Sequence, residues 1–147
     1  MAFRKKYSAK EQIVLIGPLV PTPLLDLADT DDCIQGSMDN DKVEVDVDLY
    51  GQGRFIVSTD ERGTITLMIK NTSIADLARL TAYQEADLVL KCIVKDMTTN
   101  LAGMITQQCM ISKMPDYTRG KRPGDVTFVL KCVDLAIRHD GPIPIPV

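Results

Sequence analysis

The chain has 147 residues and a formal net charge of −3, and 45% of its residues are hydrophobic while 25% are charged. This length suits one domain with a hydrophobic core and is short for two. The composition is that of a globular protein rather than a disordered or fibrous one. No apolar run approaches the roughly 18 residues of a membrane span, and no signal-peptide pattern follows the basic start. We therefore expect that the protein is made in the cytoplasm and does not insert into a membrane.

The first 42 residues combine a short strand with two polar segments. Residues 1–12 read as a flexible arm, residues 13–16 as a strand, and residues 18–42 as an acidic loop interrupted by prolines. Between residues 26 and 48, nine acidic residues stand against one base, Lys42, so this segment carries −8 and the remainder of the chain +5. Opposite patches on one small domain favour head-to-tail self-association, although solvated charge without a partner remains the alternative. The proposed stacking surfaces comprise Asp29, Asp31 and Asp32 against Arg119, Lys121 and Arg122.

The pattern at residues 43–69 predicts a long β-hairpin. Residues 43–49 read Val-Glu-Val-Asp-Val-Asp-Leu, strand composition resumes at 54–58, and alternation returns at 64–69 after a polar turn. Side chains two apart lie on the same face of a strand, so one face is apolar and the other polar. Glu44, Asp46 and Asp48 share the polar face.

The second half predicts one helix among strands. Ser73 followed by Asp76 resembles a capping box, and Ile74, Leu77, Ala78 and Leu80 form an apolar stripe over about ten residues. Strands are expected at residues 87–96 and 104–113, followed by a polar loop at 115–125 and one long strand at 126–137 that is apolar on both faces. The tail, residues 141–147, has proline at every second position and reads as an extended segment.

This order of elements predicts a single, mainly-β domain spanning residues 1–147. The expected architecture is an antiparallel β-sandwich or partial barrel with one flanking α-helix. The doubly apolar strand at 126–137 needs cover on both faces. Because one sheet and one helix do not supply that cover, we expect the protein to be oligomeric.

The sequence contains no recognisable catalytic motif. Glycine-rich phosphate loops, the Gly-x-Ser-x-Gly elbow and the His-Glu-x-x-His zinc motif are all absent. The four cysteines show no Cys-x-x-Cys spacing, and Cys92, Cys109 and Cys132 lie in apolar segments, as expected of small buried side chains in a reducing compartment. His139, the only histidine, is remote from any pair of ligands. We therefore expect no enzyme activity, no metal and no cofactor.

The hairpin and the helix that follows it carry a resemblance to a known family. The segment 53–67, with Ser58-Thr59-Asp60-Glu61-Arg62-Gly63 at its turn, leads directly into the helix at 73–80. This arrangement resembles the core of tail tube proteins from contractile phages, a family related to the inner tubes of type VI secretion systems and of phage-like bacteriocins. The segments 100–103, 113–116 and 126–130 also fit the pattern, which spans about residues 42–137.

The resemblance implies a hexameric ring that stacks head to tail into a hollow tube of the virion tail, assembled in the host cytoplasm. DNA would pass through without specific binding, and sheath and baseplate or terminator proteins would be partners. The face of a barrel opposite its core is the channel. If the valines pack on the core, Glu44, Asp46 and Asp48 therefore line the lumen, the alternative being an outward face toward sheath or solvent.

Two other functions remain open from the sequence. A tail terminator, baseplate or secretion-tube protein of the same fold would use the same surfaces, and a terminator would make only one ring. A small β-sandwich domain that binds a metal or ligand through its acidic cluster belongs to a different class. Asp29-Thr30-Asp31-Asp32 lacks the glycine and the terminal glutamate of an EF-hand loop, which disfavours a calcium site of that type.

Overall fold

The computed structural model describes residues 12–24, 33–96, 101–117, 120–121, 124–138 and 143–144. Eleven strands and one helix lie within these residues. In chain order they are β1 (Gln12–Gly17), β2 (Thr22–Pro23), β3 (Ile34–Met38), β4 (Val43–Val47), β5 (Gly53–Val57), β6 (Gly63–Lys70), α1 (Ile74–Glu85), β7 (Leu90–Asp96), β8 (Leu101–Ile111), β9 (Asp125–Cys132), β10 (Ala136–Ile137) and β11 (Ile143–Pro144). Residues 1–11 of the predicted arm, and all of the predicted tail except β11, lie outside the described residues.

Nine of the strands described form one sheet, in the order β2-β1-β7-β8-β9-β6-β3, with β10 and β11 also pairing with β8. All of these pairs are antiparallel. Side chains from β1 and β7 share one core cluster with those from β6 and β9, so the sheet curls around its own apolar face. The mainly-β, antiparallel, partial-barrel architecture with one flanking helix is confirmed.

Strand β6 shows the predicted alternation most clearly. Ile65, Leu67 and Ile69 are fully buried, while the side chains between them are half-buried. These three residues lie opposite Leu130, Phe128 and Val126 of β9, respectively. Because the register places apolar against apolar along the whole strand, a slip by one residue would turn every buried side chain of β6 outward.

The helix begins where the sequence predicts, but it has 12 residues and ends at Glu85 rather than at residue 80. Ser73 occupies the N-cap position, as its place in the sequence predicts, but its side chain makes no capping hydrogen bond, so the Ser73 half of the predicted capping box is wrong. Leu80 is buried and Leu77 half-buried, whereas Ile74 is 78% exposed. Only the C-terminal part of the predicted stripe therefore packs on the core.

The predicted acidic loop at 18–42 contains two strands. Strand β3 pairs with β6 along its full length. The sequence hides this strand because Gln35-Gly36-Ser37 is polar, and at the outer position of the sheet those side chains are exposed. Gly36 leaves room for the Met104 side chain, since an added Cβ would meet its sulfur unless that side chain moved.

The predicted long strand at 126–137 is broken into β9 and β10. Asp134 lies in this break, and its carboxylate bonds to residues of strand β8. It accepts hydrogen bonds from Thr106 Oγ1 at 2.7 Å and from the backbone N–H groups of Gln107 and Gln108 at 3.2 and 3.1 Å. These amides lie where the β7–β8 register shifts, a bulge that would otherwise leave donors unpaired.

Gly63, at the start of β6, provides a test of this packing. An added Cβ would lie 2.8 Å from Leu135 Cβ and 2.9 Å from the carbonyl oxygen of Ser37. We expect Gly63→Ala to lower the free energy of unfolding by about 1–3 kcal/mol, as overpacking does. Urea denaturation measures this change.

Gly103→Ala is the matched control. An added Cβ at Gly103 meets no atom within 4 Å, and its φ is not positive. Alanine there should be neutral or stabilise by up to about 1 kcal/mol, because it narrows the unfolded ensemble. Equal losses at both positions would contradict the packing described for Gly63.

Candidate assembly surfaces

Strands β4 and β5 form a hairpin that stands apart from the main sheet. Among the described strands they pair only with each other, and all residues from 43 to 57 are exposed. We call residues 43–57 the hairpin. The sequence predicted one long hairpin continuing into residues 64–69, and this is wrong because β5 does not pair with β6.

One face of the hairpin is apolar and uncovered. The register sets Val43 opposite Val57 and Val45 opposite Phe55. Together with Val47, these side chains share one face by alternation. Val45 is 64% exposed and Phe55 75% exposed. The valines of this strand therefore do not pack on the subunit's own core, although the predicted alternation of faces holds.

The three acids of the polar face have different environments. Asp46 forms an ion pair with Arg54, its cross-strand partner, at 2.8 Å. Asp48 organises the turn: its Oδ1 accepts hydrogen bonds from the N–H groups of Tyr50 and Gln52, both at 2.9 Å. Glu44 lies opposite Ile56 and has no ion pair among the residues that the structure describes.

These environments decide which acids can be replaced without disturbing the hairpin. All three positions are exposed. The Asp48 carboxylate nevertheless holds the turn, and replacing Asp46 with lysine would set a cation beside Arg54. The assignment of Glu44, Asp46 and Asp48 to the lumen stays a prediction.

The base of the hairpin is held by a dense polar network centred on Asp60. The carboxylate accepts hydrogen bonds from Arg62 Nε at 2.8 Å, from the Arg62 backbone N–H at 3.0 Å and from Asn40 Nδ2 at 2.7 Å. The side-chain and backbone hydrogen bonds from Arg62 hold the pKa of Asp60 well below its ordinary range. Asp60 therefore joins the chain entering the hairpin to the chain leaving it.

Backbone hydrogen bonds reinforce the same base. The Ser58 N–H donates to the Lys42 carbonyl at 2.7 Å, and the Asp39 N–H donates to the Arg62 carbonyl at 3.0 Å. The Leu135 N–H donates to the Glu61 carbonyl at 3.0 Å, which ties the base to the main body. The apolar face is thus presented on a fixed support rather than on a loose loop.

Most of the predicted stacking charges lie outside the described residues. Lys121 is exposed, whereas Asp29, Asp31, Asp32, Arg119 and Arg122 are outside the described residues. Their pairing across stacked rings stays a prediction.

Within the described part of the chain, no group of three or more metal-ligating side chains comes together. A surface cleft of about 310 Å³ is lined by residues that include Lys113, Asp116 and Asp125, with no histidine or cysteine. No helix in the described segments is both long and apolar enough to cross a membrane.

Similar folds occur in known particles, although no protein-family model and no curated protein matches the sequence. A chain from the virion of a native gene transfer agent aligns over 91% of this chain and 100% of its own length, with a TM-score of 0.65 and 9% identity. A chain from the tube-terminating cap of the anti-feeding prophage covers 94% of both chains, with a TM-score of 0.52 and 10% identity. A chain from the sheath/tube terminator of an extracellular contractile injection system, PVC, aligns over 94% of this chain and 100% of its own length, with a TM-score of 0.53 and 11% identity. The chain shares their fold.

Asp60→Asn tests whether the polar network fixes the hairpin. The amide cannot accept the charge-assisted bonds from Arg62, so we expect several-fold faster hydrogen exchange at the amides of residues 43–57 with little change in β6. Asp41→Asn is the control, since Asp41 is an exposed acid one residue from Asn40. Similar acceleration in both variants would contradict a specific role for Asp60.

The lowered pKa of Asp60 also fixes the direction of a pH effect. The pKa of Asp60 is lower in the folded protein than the ordinary aspartate pKa of about 3.9. The ionised carboxylate therefore stabilises the hairpin's attachment fully at pH values above that ordinary pKa, and this stabilisation is lost as the pH falls through the pKa of Asp60 in the folded protein. Hairpin protection, corrected for intrinsic exchange, should therefore be constant between about pH 7 and pH 4.5 and decline only at lower pH. Loss of protection near neutral pH would count against the network.

Proposed function

We propose that the protein is a non-enzymatic structural subunit of a phage-like tail, forming hexameric rings that stack into a tube for DNA. The observation that carries this proposal is the uncovered apolar face of the hairpin on its fixed base. Three structures with the same fold come from a virion, a tube-terminating cap and a sheath/tube terminator. Their fold supports placing this chain in an assembled particle.

The hairpin is poorly explained as part of a monomer. A two-stranded hairpin that packs on nothing is marginal in water, and contiguous exposed apolar patches mark interaction surfaces. Covering a half-exposed valine or phenylalanine contributes on the order of 1 kcal/mol. Cover from a neighbouring chain would stabilise the hairpin and the assembly together.

A second copy of this chain is the neighbour that we propose. If each subunit places its hairpin on the next one around a ring, the contact is heterologous and closes when the rotation is cyclic. Strand β3 is an outer strand of the sheet, with no partner beyond it among the described residues. Ring closure would also cover that edge, which a lone subunit leaves open to misassociation.

A tail terminator that makes only one ring is the second candidate. Two structures with this fold come from a tube-terminating cap and a sheath/tube terminator, which favours this second candidate. Tubes of purified protein support the tube role, whereas rings that do not stack support the terminator role. Sheath and baseplate or terminator proteins, as the outer and end partners in the virion tail, belong to the same proposal.

A substitution on the apolar face tests assembly through the hairpin. Val45→Thr combined with Phe55→Thr keeps strand-compatible side chains but removes apolar surface, so we expect folded subunits that no longer form rings. Sedimentation measures the oligomeric state, and negative-stain images show whether rings form. Ile56→Thr is the matched control on the opposite face of the same hairpin and should leave rings intact. Normal rings in the double variant would refute the proposed contact.

The lumen hypothesis is tested most cleanly at Glu44, because Asp46 and Asp48 already serve the hairpin. Glu44→Lys repeats a positive charge around each ring and should make a DNA-repelling wall adhesive for phosphate. We expect tubes that assemble but deliver DNA poorly, measured as ejection from particles. Glu44→Gln, which removes charge without adding a cation, should have a smaller effect. Normal delivery by Glu44→Lys would place this residue outside the channel.

A further inference from the structure

The two halves of the sheet meet at a short seam. Strands β8 and β9 pair at only three positions, Cys109 with Cys132, Met110 with Lys131 and Ile111 with Leu130, whereas β6 and β9 pair at eight. Strand β8 leads to β7, β1 and β2, and strand β9 leads to β6 and β3. Two cysteines therefore lie directly opposite each other in the short ladder that joins the two half-sheets.

The hydrogen-bond pattern defines the kind of position these cysteines occupy. The Val133 N–H donates to the Gln108 carbonyl at 3.0 Å, and the Ser112 N–H donates to the Val129 carbonyl at 2.8 Å. Bonded and non-bonded pairs alternate along an antiparallel ladder, so Cys109 and Cys132 form a non-hydrogen-bonded pair. Cα atoms of such a pair are about 4.5 Å apart, within the roughly 4.4–6.8 Å that a disulfide spans.

The side chains share one environment. Both thiols are reduced and buried, and both belong to the core cluster. The Cys109 thiol donates a hydrogen bond to the Leu90 carbonyl at 3.3 Å. Interaction between the two neighbouring thiols raises the pKa of Cys109, which burial raises further, and lowers the pKa of Cys132. Cys132 is therefore the thiol of the pair better able to react as a thiolate.

We propose that Cys109 and Cys132 are a latent disulfide that closes when the protein meets a small-molecule disulfide such as oxidised glutathione. The Cys132 thiolate attacks one sulfur of the oxidant, forming a mixed disulfide and releasing one small thiol. The Cys109 thiol then loses its proton and attacks the Cys132 sulfur, releasing the second small thiol. The protein loses two protons and two electrons, and the oxidant is reduced to two thiols. Because both thiols are buried, reaction proceeds through local opening of the seam.

The new disulfide would join β8 covalently to β9 and would close a loop that contains the polar segment 115–125. This constrains the unfolded chain and joins the two half-sheets covalently. That the disulfide would stabilise an assembled particle outside the reducing cytoplasm rests on the proposed function. The formation of the bond does not, and it is measurable on unassembled subunits.

Purified protein treated with oxidised glutathione tests the proposal. We expect an intact mass lower by two hydrogens, a peptide linking Cys109 to Cys132, and a melting temperature about 5–10 °C higher than that of the reduced protein. Cys92→Ser is the matched control, since Cys92 is another buried core cysteine, on β7, and should leave the reaction intact. Cys109→Ser and Cys132→Ser should each abolish it.

Several outcomes would overturn the proposal. Linkage through Cys92 or Cys33, or an oxidised protein that melts at a lower temperature, would do so. So would thiols that stay unreacted even when oxidation is repeated at a temperature just below the melting transition, where the seam opens faster. The wild-type result decides the question even if a serine variant fails to fold. Ring formation is scored separately, so a missing disulfide and a missing ring are distinguishable.

Discussion

The pairing of β6 with β9 is the interaction on which the rest of the structure depends. Its register buries Ile65, Leu67 and Ile69 on one face, and β3 then completes the other edge of β6. The first residue of β6, Gly63, directly follows the Asp60–Arg62 network at the base of the hairpin. The register of β6 therefore also determines where the hairpin is attached to the main sheet and how its apolar face is oriented.

The hairpin shows what a period of two can and cannot predict. The alternation Val-Glu-Val-Asp-Val correctly separates two faces, because strand geometry alone determines which side chains share a face. It does not say what covers the apolar face. In β6 the subunit's own core covers it, whereas in β4 nothing described within the subunit does. The same alternation therefore occurs in a strand whose apolar face is buried in the subunit's core and in a strand whose apolar face is exposed, and only the tertiary structure distinguishes the two cases.

Elements with strong local signals were predictable, and those defined by distant partners were not. The helix, strand β6 and the buried face of β7 follow from spacing in the sequence. Strand β3 was missed because its polar side chains carry no period, and its existence depends on the edge of β6. The break between β9 and β10 was missed because Asp134 acts on amides more than twenty residues earlier in the chain. The strand at residues 43–47 was predictable in location, but the exposure of its apolar face was not.

The division of labour among the hairpin acids narrows the electrostatic argument for a channel. A carboxylate that neutralises a cross-strand arginine, as Asp46 does, adds little net field, and one committed to turn amides, as Asp48 is, cannot change without loosening the tip. A hairpin that must keep its shape before a neighbour covers it needs such internal bonds. Repulsion of a DNA backbone by this face would therefore depend chiefly on Glu44, multiplied by the symmetry of the ring rather than by the number of acids in one subunit.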